Sequence, residues 1–432
     1  MINKLFKIKE LTVATILLIF HFCNAYGQDS IVDAKKRYTF AQSTFGYDIE
    51  YIPKTGSSYF KNANNTLEKT KFGNIISPTF SITGLHFWGH AEFFTGFTFK
   101  TINLNSSANK IEYNRSSATG AKIFPWSVNK HTLVPYLGFS VSSFSFKQDQ
   151  GVELNRIEYP LLFGLTYRFK KGMLEIGGNY HPKAEYSYYI SRNEKNVISV
   201  PQITFSIDYK YFFDLTLSSL KRIENGELKQ EFDLLKSKKS LSSFYIALGP
   251  AYSFFTQNSS YNTANRPYLD NYNISNLYPD MGLGYYNYKL DACLNLSWRN
   301  FKTSLSAYNV SQHVHRNSIA IEFYKFIGDY HGFVPFVGGI ISNENFEVTE
   351  NDASSKTLNE KFSFFTGGLI IGWDIRSTRT DWWGVRTNIR YFPGLNLTLN
   401  NGYNINMNQI ELNFLQLILY PNRIATYLKY KK

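Results

Sequence analysis

The sequence is almost devoid of cysteine. Only Cys23 and Cys293 occur in 432 residues, and Cys23 falls within an N-terminal segment that has the features of a removable signal. A chain with one remaining cysteine cannot form an internal disulfide framework. We expect Cys293 to be a small hydrophobe that faces a lumen or a membrane, and not a reactive thiol.

Long apolar runs are also scarce. The one clear run, at 11–22, follows three lysines and precedes the small-residue sequence Ala25-Tyr26-Gly27, which predicts a secretory signal peptide at residues 1–27. Cys23-Asn24-Ala25 is a near competitor as the cleavage sequence, whereas a lipoprotein signal would need a small residue in place of Phe22. No later segment approaches the ~18 apolar residues of a transmembrane helix. The mature chain is therefore expected to be soluble or a β-barrel.

Motifs for catalysis, cofactors and nucleic acids are missing as well. The sequence has no Gly-x-Ser-x-Gly turn, and it has no zinc spacing, basic helix or long Lys/Arg cluster. His313 and His315 fall on one side of an extended segment that we expect in an outer loop, but a third ligand at a defined spacing is lacking. We interpret them as solvated loop residues. No catalytic, cofactor-binding or metal-binding residue and no nucleic acid partner is predicted.

What the sequence does contain is strict alternation of large apolar residues with small or polar ones. In Arg156–Phe169 every odd position from Ile157 onward is large and apolar, and most even positions are small or polar. The pattern recurs in Ile203–Phe213 and Ala91–Phe99. A period of two indicates a strand with one apolar face, and these lengths match the ~9–11 residues of a tilted membrane strand. The segments predict strands with lipid on one side and water or packed polar groups on the other.

Composition and charge favour a membrane barrel over a soluble protein. Aromatic residues make up 17% of the chain although only 43% is hydrophobic, and aromatic girdles are typical of membrane barrels. The net charge of +13 becomes +11 when residues 1–27, with three lysines and Glu10, are removed. We expect export to the cell outer membrane, where basic loops would meet anionic lipid and lipopolysaccharide phosphates.

The chain also resembles itself at a shift of about 201 residues, which predicts an internal duplication of 38–213 and 241–420 with about eight strands in each repeat. The stretch 214–240 between the repeats has helical spacing that Gly226 should weaken. We interpret it as a periplasmic connector helix or, alternatively, as an element that docks a periplasmic partner or plugs the barrel. Four blocks match in the same order: Ser77–Phe97 with Tyr278–Trp298, Val134–Gly138 with Val334–Gly338, Tyr180–Pro182 with Tyr391–Pro393, and Gln202–Phe205 with Gln409–Leu412.

Predicted connections alternate between long and short, as an up-and-down barrel requires. The short turns and both termini are expected in the periplasm, and the long loops outside the cell. The long connections are 52–71, 104–114, 147–154, 187–198, 257–277 and 343–360. The short ones lie near Trp88-Gly89, Ser127–Asn129, Lys170–Gly172, Lys289, Gly328-Asp329 and Ser377–Asp381.

The predicted fold class is an all-β, transmembrane, antiparallel up-and-down barrel. We favour one barrel of about 16 strands, because barrels enlarge by adding hairpins, over the alternative of two eight-stranded barrels in tandem. Eight strands leave an interior filled by side chains, whereas ~16 leave an aqueous channel. The candidate lumen-facing residues are Glu92, Glu158, Arg168, Asp208, Asp291, Arg299, Glu322, Asp374, Arg386, Arg390 and Glu411.

Three functions are compatible with such a barrel. A passive pore for small polar solutes is the first expectation, since it follows from the larger strand number and the mixed charge of the inward positions. A non-conducting structural or assembly protein of the outer membrane is the alternative. A lipid-modifying barrel enzyme is the third.

With these features the chain resembles the outer-membrane β-barrel proteins of Bacteroidota. The resemblance rests on the signal ending Ala25-Tyr26-Gly27-Gln28, the aromatic alternating strands, and the closing blocks Arg386–Pro393 and Gln409–Phe414. It implies the fold and the outer-membrane location. It implies no catalytic residue, and the chain departs from the usual pattern because twelve residues follow Tyr420.

Overall fold

The structure is a computed structural model that describes residues 40–430, except 54–55, 62–65, 72, 99–101, 107–108, 130, 149–152, 214–225, 330–331, 354 and 377. The predicted signal peptide and the first part of the predicted connector lie outside the described residues.

In the described part of the chain, fourteen strands precede the connector. They are β1 (Gln42–Ile52), β2 (Ser57–Lys61), β3 (Leu67–Lys71), β4 (Ile75–His86), β5 (Ala91–Thr98), β6 (Ile102–Ser106), β7 (Asn109–Ile123), β8 (Leu133–Gln148), β9 (Glu153–Glu158), β10 (Leu161–Arg168), β11 (Gly172–Tyr180), β12 (Glu185–Tyr189), β13 (Lys195–Ser199) and β14 (Ile203–Phe213). Eight of them pair antiparallel in the order β1, β4, β5, β7, β8, β10, β11 and β14, and β14 returns to β1. This first barrel carries a small outer sheet of β2, β3, β12 and β13.

Ten strands follow the connector within the described ranges. They are β15 (Ser243–Phe255), β16 (Tyr278–Asn287), β17 (Ala292–Ala307), β18 (Val310–Phe326), β19 (Phe333–Asp352), β20 (Ser355–Ile375), β21 (Trp383–Phe392), β22 (Asn396–Thr398), β23 (Asn404–Asn406) and β24 (Gln409–Leu419). The second barrel is closed in the order β15, β16, β17, β18, β19, β20, β21 and β24. Strands β22 and β23 form a hairpin in its last long connection.

The all-β up-and-down barrel prediction is confirmed, and the closure is that of two eight-stranded barrels in tandem. The preferred single barrel of about 16 strands is wrong. It required β14 to pair with β15, whereas β14 pairs with β1 and β11 and β15 pairs with β16 and β24. The first and last strands of each half therefore pair with each other. Their backbone hydrogen-bonding groups could not remain unpaired within a membrane.

The outer face of the barrels is apolar where the alternation predicted it. Along β14 the side chains of Ile203, Phe205 and Ile207 are exposed, whereas Thr204 and Asp208, which point to the opposite face, are buried. The segment Arg156–Phe169 is not one strand, however. It splits at Pro160 into β9 and β10, since proline cannot donate a ladder hydrogen bond.

One predicted lipid-facing surface instead packs against the other barrel. On β5, Thr95 is fully buried, and the Phe93 ring lies 5.6 Å from the Trp373 ring of the second barrel. The lipid-facing interpretation of Ala91–Phe99 therefore fails at these positions. An interface within a membrane needs the same apolar residue types as a lipid contact, so the pattern could not separate the two.

The barrels lie side by side with corresponding ends together. At the short-turn end the Phe40 and Phe333 rings are 5.8 Å apart. At the long-loop end Arg192 Nη2 lies 2.7 Å from Asp352 Oδ1. Because both ends match, the long loops of the two barrels share one side of the molecule.

Among the residues that the structure describes, three α-helices accompany the strands: α1 (Glu227–Ser237), α2 (Ser260–Asn265) and α3 (Pro421–Tyr430). Gly226 precedes α1 with a φ of +73°, a left-handed conformation that favours glycine. The Phe232 ring of α1 lies 6.4 Å from the Tyr288 ring in a short turn of the second barrel, so this helix sits at the short-turn mouth. Within the described ranges, no helix has the length and apolar character needed to cross a membrane.

The four matched sequence blocks fall on corresponding strands of the two barrels. Pro78 and Pro279 lie on the second strand of each barrel, and Val134 and Val334 lie on the fifth. The other two blocks fall at the end of the seventh strand and the start of the eighth. The duplication itself stays a prediction.

Candidate functional site: the barrel interiors

The centre of the second barrel is occupied by paired arginine and glutamate side chains. Arg299 and Arg316 are both fully buried. Arg299 Nη1 donates to Glu411 Oε2 at 2.9 Å, and Arg316 donates to the other oxygen of Glu411. One carboxylate from β24 therefore binds arginines from β17 and β18, and this pairing spans the interior at its middle.

Further ion pairs lie on both sides of this centre. Arg316 binds Glu344 through two hydrogen bonds of 2.7 and 2.8 Å. Arg386 binds Asp374 in the same two-point manner at 2.6 and 2.8 Å. Such bidentate geometry is the strongest form of Arg–carboxylate contact. It offsets the cost of removing these charges from water.

Arg390 joins the central pairs to those nearer the short turns. Its Nη1 donates to Asp280 Oδ2 at 2.7 Å, and its Nε lies 2.9 Å from Glu322 Oε1. Asn295 and Ser297 also donate to Glu322, at 3.0 and 2.7 Å. These ion pairs and hydrogen bonds therefore connect polar side chains of several strands across the interior.

Both mouths of the second barrel are covered. At the long-loop end the connection that carries α2 folds inward, where Tyr261 donates to Glu350 at 3.1 Å and Tyr272 donates to Gln312 at 3.0 Å. At the short-turn end Arg423 of α3 donates to the carbonyl oxygens of Leu241 and Asp381, each at 2.9 Å. The terminal helix is thereby fixed to the barrel rim.

The first barrel contains a smaller charged cluster. Lys210 Nζ donates to Glu175 Oε2 at 2.7 Å and also to Glu92, and Lys122 donates to Glu175. All four side chains are buried. They block the interior toward the short-turn end.

A polar cavity of about 100 Å³ adjoins this cluster in the first barrel. This volume exceeds the ~10–15 Å³ that is the minimum for one water molecule, so the cavity has room for water. Asp48 and Asp208 line it and lie opposite each other in the β1–β14 register. Ser81, Ser140, Ser142 and Ser206 also line the cavity.

The structure places most of the predicted lumen-facing residues on strands within the barrels, where they are buried. This holds for Glu92, Asp208, Arg299, Glu322, Asp374, Arg386, Arg390 and Glu411.

Three predicted residues lie at barrel ends. Arg168 donates to the Val128 carbonyl at 2.9 Å near the short turns. Glu158 lies on β9, where it accepts a hydrogen bond from Tyr186 at 2.9 Å. Asp291 lies in the turn before β17 and accepts from Tyr286 at 2.6 Å.

Several interior residues were missed from the sequence. Glu344 fell within the predicted loop 343–360, but this segment is strand on both sides of a tight turn at Ala353. Arg316 was overlooked because its neighbours were expected in a loop, although it shares its parity with Glu322. If the alternation of inward and outward residues had been followed beyond the strand length that a membrane requires, it would have placed both residues in the interior.

The two histidines that were expected in an outer loop lie on strand β18. His313 and His315 alternate with Gln312, Val314 and Arg316, which are buried, so both imidazoles face outward. No group of three or more potential metal ligands was found among the residues that the structure describes. Cys293 is a free, buried thiol.

No protein-family model matches this chain, and no curated protein matches it in sequence. The chain is a tandem of two barrels of the outer-membrane type. Among solved structures it is similar to Neisserial surface protein A, with 14% identity, a TM-score of 0.29, and coverage of 41% of this chain and 98% of that one. It is also similar to Ail, the attachment invasion locus protein of Yersinia pestis, with 10% identity, a TM-score of 0.27, and coverage of 41% and 97%.

A longer match is to the P. putida toluene transporter TodX, with 8% identity, a TM-score of 0.16, and coverage of 90% of this chain and 93% of that chain. Scores of this size do not support a transfer of function.

Proposed function

We propose that this chain is a non-conducting structural protein of the outer membrane that acts through its paired barrels and their common loop surface. The observation that carries the proposal is the Arg299–Glu411–Arg316 bridge across the second barrel. The passive-pore expectation rested on a wide, single barrel. Eight strands leave an interior that side chains fill.

The loop surface supports a structural role because it joins the two barrels. Arg192, between β12 and β13, contacts the β19–β20 turn at Asp352. Tyr308 donates to the Tyr189 carbonyl at 2.7 Å. A surface held by both barrels is suited to stable contacts with lipopolysaccharide or with another outer-membrane protein.

A narrow pore through the first barrel is the second candidate. The specific observation in its favour is the polar cavity next to Asp48 and Asp208. The Lys210–Glu175 and Lys210–Glu92 pairs close this cavity on one side. Solute passage would require these pairs to separate.

Planar bilayer recordings on the purified chain test the proposal. We expect no stable conductance from protein whose insertion is verified by heat modifiability on gels. Stable current steps would contradict the non-conducting role. If steps occur, Ser206→Trp should abolish them when the path runs through the first-barrel cavity, whereas Ser304→Trp, on the outer face of β17, should leave them unchanged.

A deletion strain provides the cellular test. We expect increased sensitivity to bile salts and large antibiotics, because a structural protein maintains the barrier. Uptake of small polar solutes should remain at the level of the parent strain. Reduced uptake of small polar solutes together with unchanged sensitivity to bile salts and large antibiotics would favour the pore.

A further inference from the structure

We propose that the crevice between the two barrels binds a phospholipid of the surrounding membrane, with an acyl chain between the barrel walls and His86 hydrogen-bonded to its polar region. This site is separate from both barrel interiors. The proposal does not depend on whether either barrel conducts.

The crevice has one wall from each barrel. Ile82, Phe93 and Phe213 contribute to the first-barrel wall, and Trp373 and Val385 contribute to the second. The lining is mainly apolar, which suits a hydrocarbon chain. A water-filled crevice would leave this apolar surface unfavourably hydrated.

The crevice is continuous with the lipid-exposed belt. Leu415 lines it and is itself 38% exposed on the outer face of β24. Leu417, the next outward-facing residue on β24, is 40% exposed. An acyl chain can therefore enter laterally from the membrane without passing through protein.

The space is sufficient for part of one chain. The cavity volume is about 60 Å³, which exceeds the ~10–15 Å³ that is the minimum for a single water-sized group. Gly84 contributes to the space, because a Cβ at this position would lie 2.4 Å from His86 Nε2.

His86 provides an independent indication of a polar ligand group. Its side chain is buried and lines the crevice, surrounded by the rings of Phe93, Phe333 and Trp373 at 5.2–6.5 Å. Nδ1 has no hydrogen-bond partner among the described residues. In a neutral imidazole Nδ1 is either an N–H donor or an acceptor, depending on the tautomer. In both cases a buried polar atom without a partner in apolar surroundings is unfavourable, and the ring nitrogen that carries the proton can donate to a ligand.

A phospholipid satisfies both features at once. Its acyl chain matches the apolar walls, and an ester carbonyl or phosphate oxygen can accept from His86. The site lies at the short-turn end, because His86 ends β4 immediately before the Phe87–Gly89 turn. This end of a barrel is where headgroups of one leaflet meet the protein.

Tryptophan quenching tests whether lipid reaches the crevice. Two full-length variants each retain one of the six tryptophans, either Trp373 in the crevice or Trp298 on the outer face of β17, with the others replaced by Phe. Both are reconstituted in vesicles of phosphatidylcholine with or without bromine on the acyl chains. We expect comparable quenching of the two residues. Quenching of Trp298 alone would overturn the proposal.

Filling the crevice distinguishes specific entry from general exposure. Ser43 lines the crevice, so Ser43→Phe should protect Trp373 from quenching, whereas the matched change Ser304→Phe on β17 should not. Equal quenching of Trp373 in both variants would overturn the proposal. If Ser43→Phe does not fold, the comparison of Trp373 with Trp298 still decides.

Loss of the imidazole tests the polar contact. Retention of phosphatidylcholine in native mass spectrometry should fall roughly twofold to tenfold in His86→Leu, the range expected for one hydrogen bond. His315→Leu, an outward histidine on β18, is the control and should retain lipid normally. Equal retention in both variants would exclude the His86 contact.

Discussion

The hydroxyl groups of Thr119 in the first barrel and Tyr252 in the second form a hydrogen bond at the interface between the barrels. Thr119 also lies 2.8 Å from the Thr95 hydroxyl. Val141 of the first barrel and Leu412 of the second pack nearby. In apolar surroundings these hydroxyls have no water to replace a lost partner, so the contact fixes the relative position of the barrels.

Breaking this bond should weaken the association of the barrels. A double-mutant cycle with Thr119→Val and Tyr252→Phe should give a coupling of about 0.6 kcal/mol and at most ~1.7 kcal/mol, the range measured between membrane-embedded side chains. Unfolding in denaturant with lipid present measures it. Tyr209→Phe, on the exposed face of β14, is the control. Zero coupling would show that the two hydroxyls do not interact.

Removing one member of the Arg386–Asp374 pair should destabilise the fold strongly, whereas replacing both members by apolar residues should destabilise it much less. Arg386→Leu alone leaves a buried carboxylate and should lower the unfolding free energy by about 3–5 kcal/mol. The double variant with Asp374→Leu should recover most of this loss, because no unpaired charge remains. Equilibrium unfolding monitored by gel mobility measures both. A double variant as unstable as the single one would contradict the pairing argument.

The Arg192–Asp352 contact should respond to acid. Asp352 lies at the end of the 20-residue strand β19, outside the membrane-spanning part. The hydrogen bond from Arg192 holds the pKa of Asp352 below its ordinary value of 3.8. A carboxyl group whose pKa is lowered on folding stabilises the folded protein, and this stabilisation is complete at a pH above the unfolded-state pKa. The stabilisation is lost as the pH falls through the folded-state pKa.

Thermal unfolding of the wild type and Asp352→Asn should therefore differ at neutral pH and converge in acid. The convergence is expected below pH 3.8, where the carboxyl becomes protonated. Glu185→Gln, which removes an exposed carboxylate on β12 that does not contact Arg192, serves as the control. A difference that persists unchanged in strong acid would show that the ion pair does not contribute.

Each barrel should fold independently, because each closes its own ladder. A fragment of residues 28–226 contains all strands of the first barrel and should insert into detergent micelles as a heat-modifiable barrel. The fragment 227–432 should do the same. Aggregation of either fragment that only co-expression of the other corrects would indicate that closure needs both halves.

The sequence was sufficient to predict membrane strands and their two faces. In β14 the alternation from Ile203 to Phe213 depends only on the period of two, which local geometry imposes on any strand. The buried charges Glu322, Arg386 and Glu411 followed from the same parity. Glu344 and Arg316 did not, because these strands continue well beyond the length that the membrane requires.

The tertiary structure decided the closure and the surroundings of the outer face. Closure depends on whether β14 pairs with β1 or with β15, and the residues alternate identically in both cases because either partner presents the same backbone groups. Likewise, Phe93 and Thr95 have the pattern of lipid-facing residues although they contact the second barrel. A protein neighbour and a lipid neighbour both require apolar surface within the membrane, so only the packing of the two barrels distinguishes them.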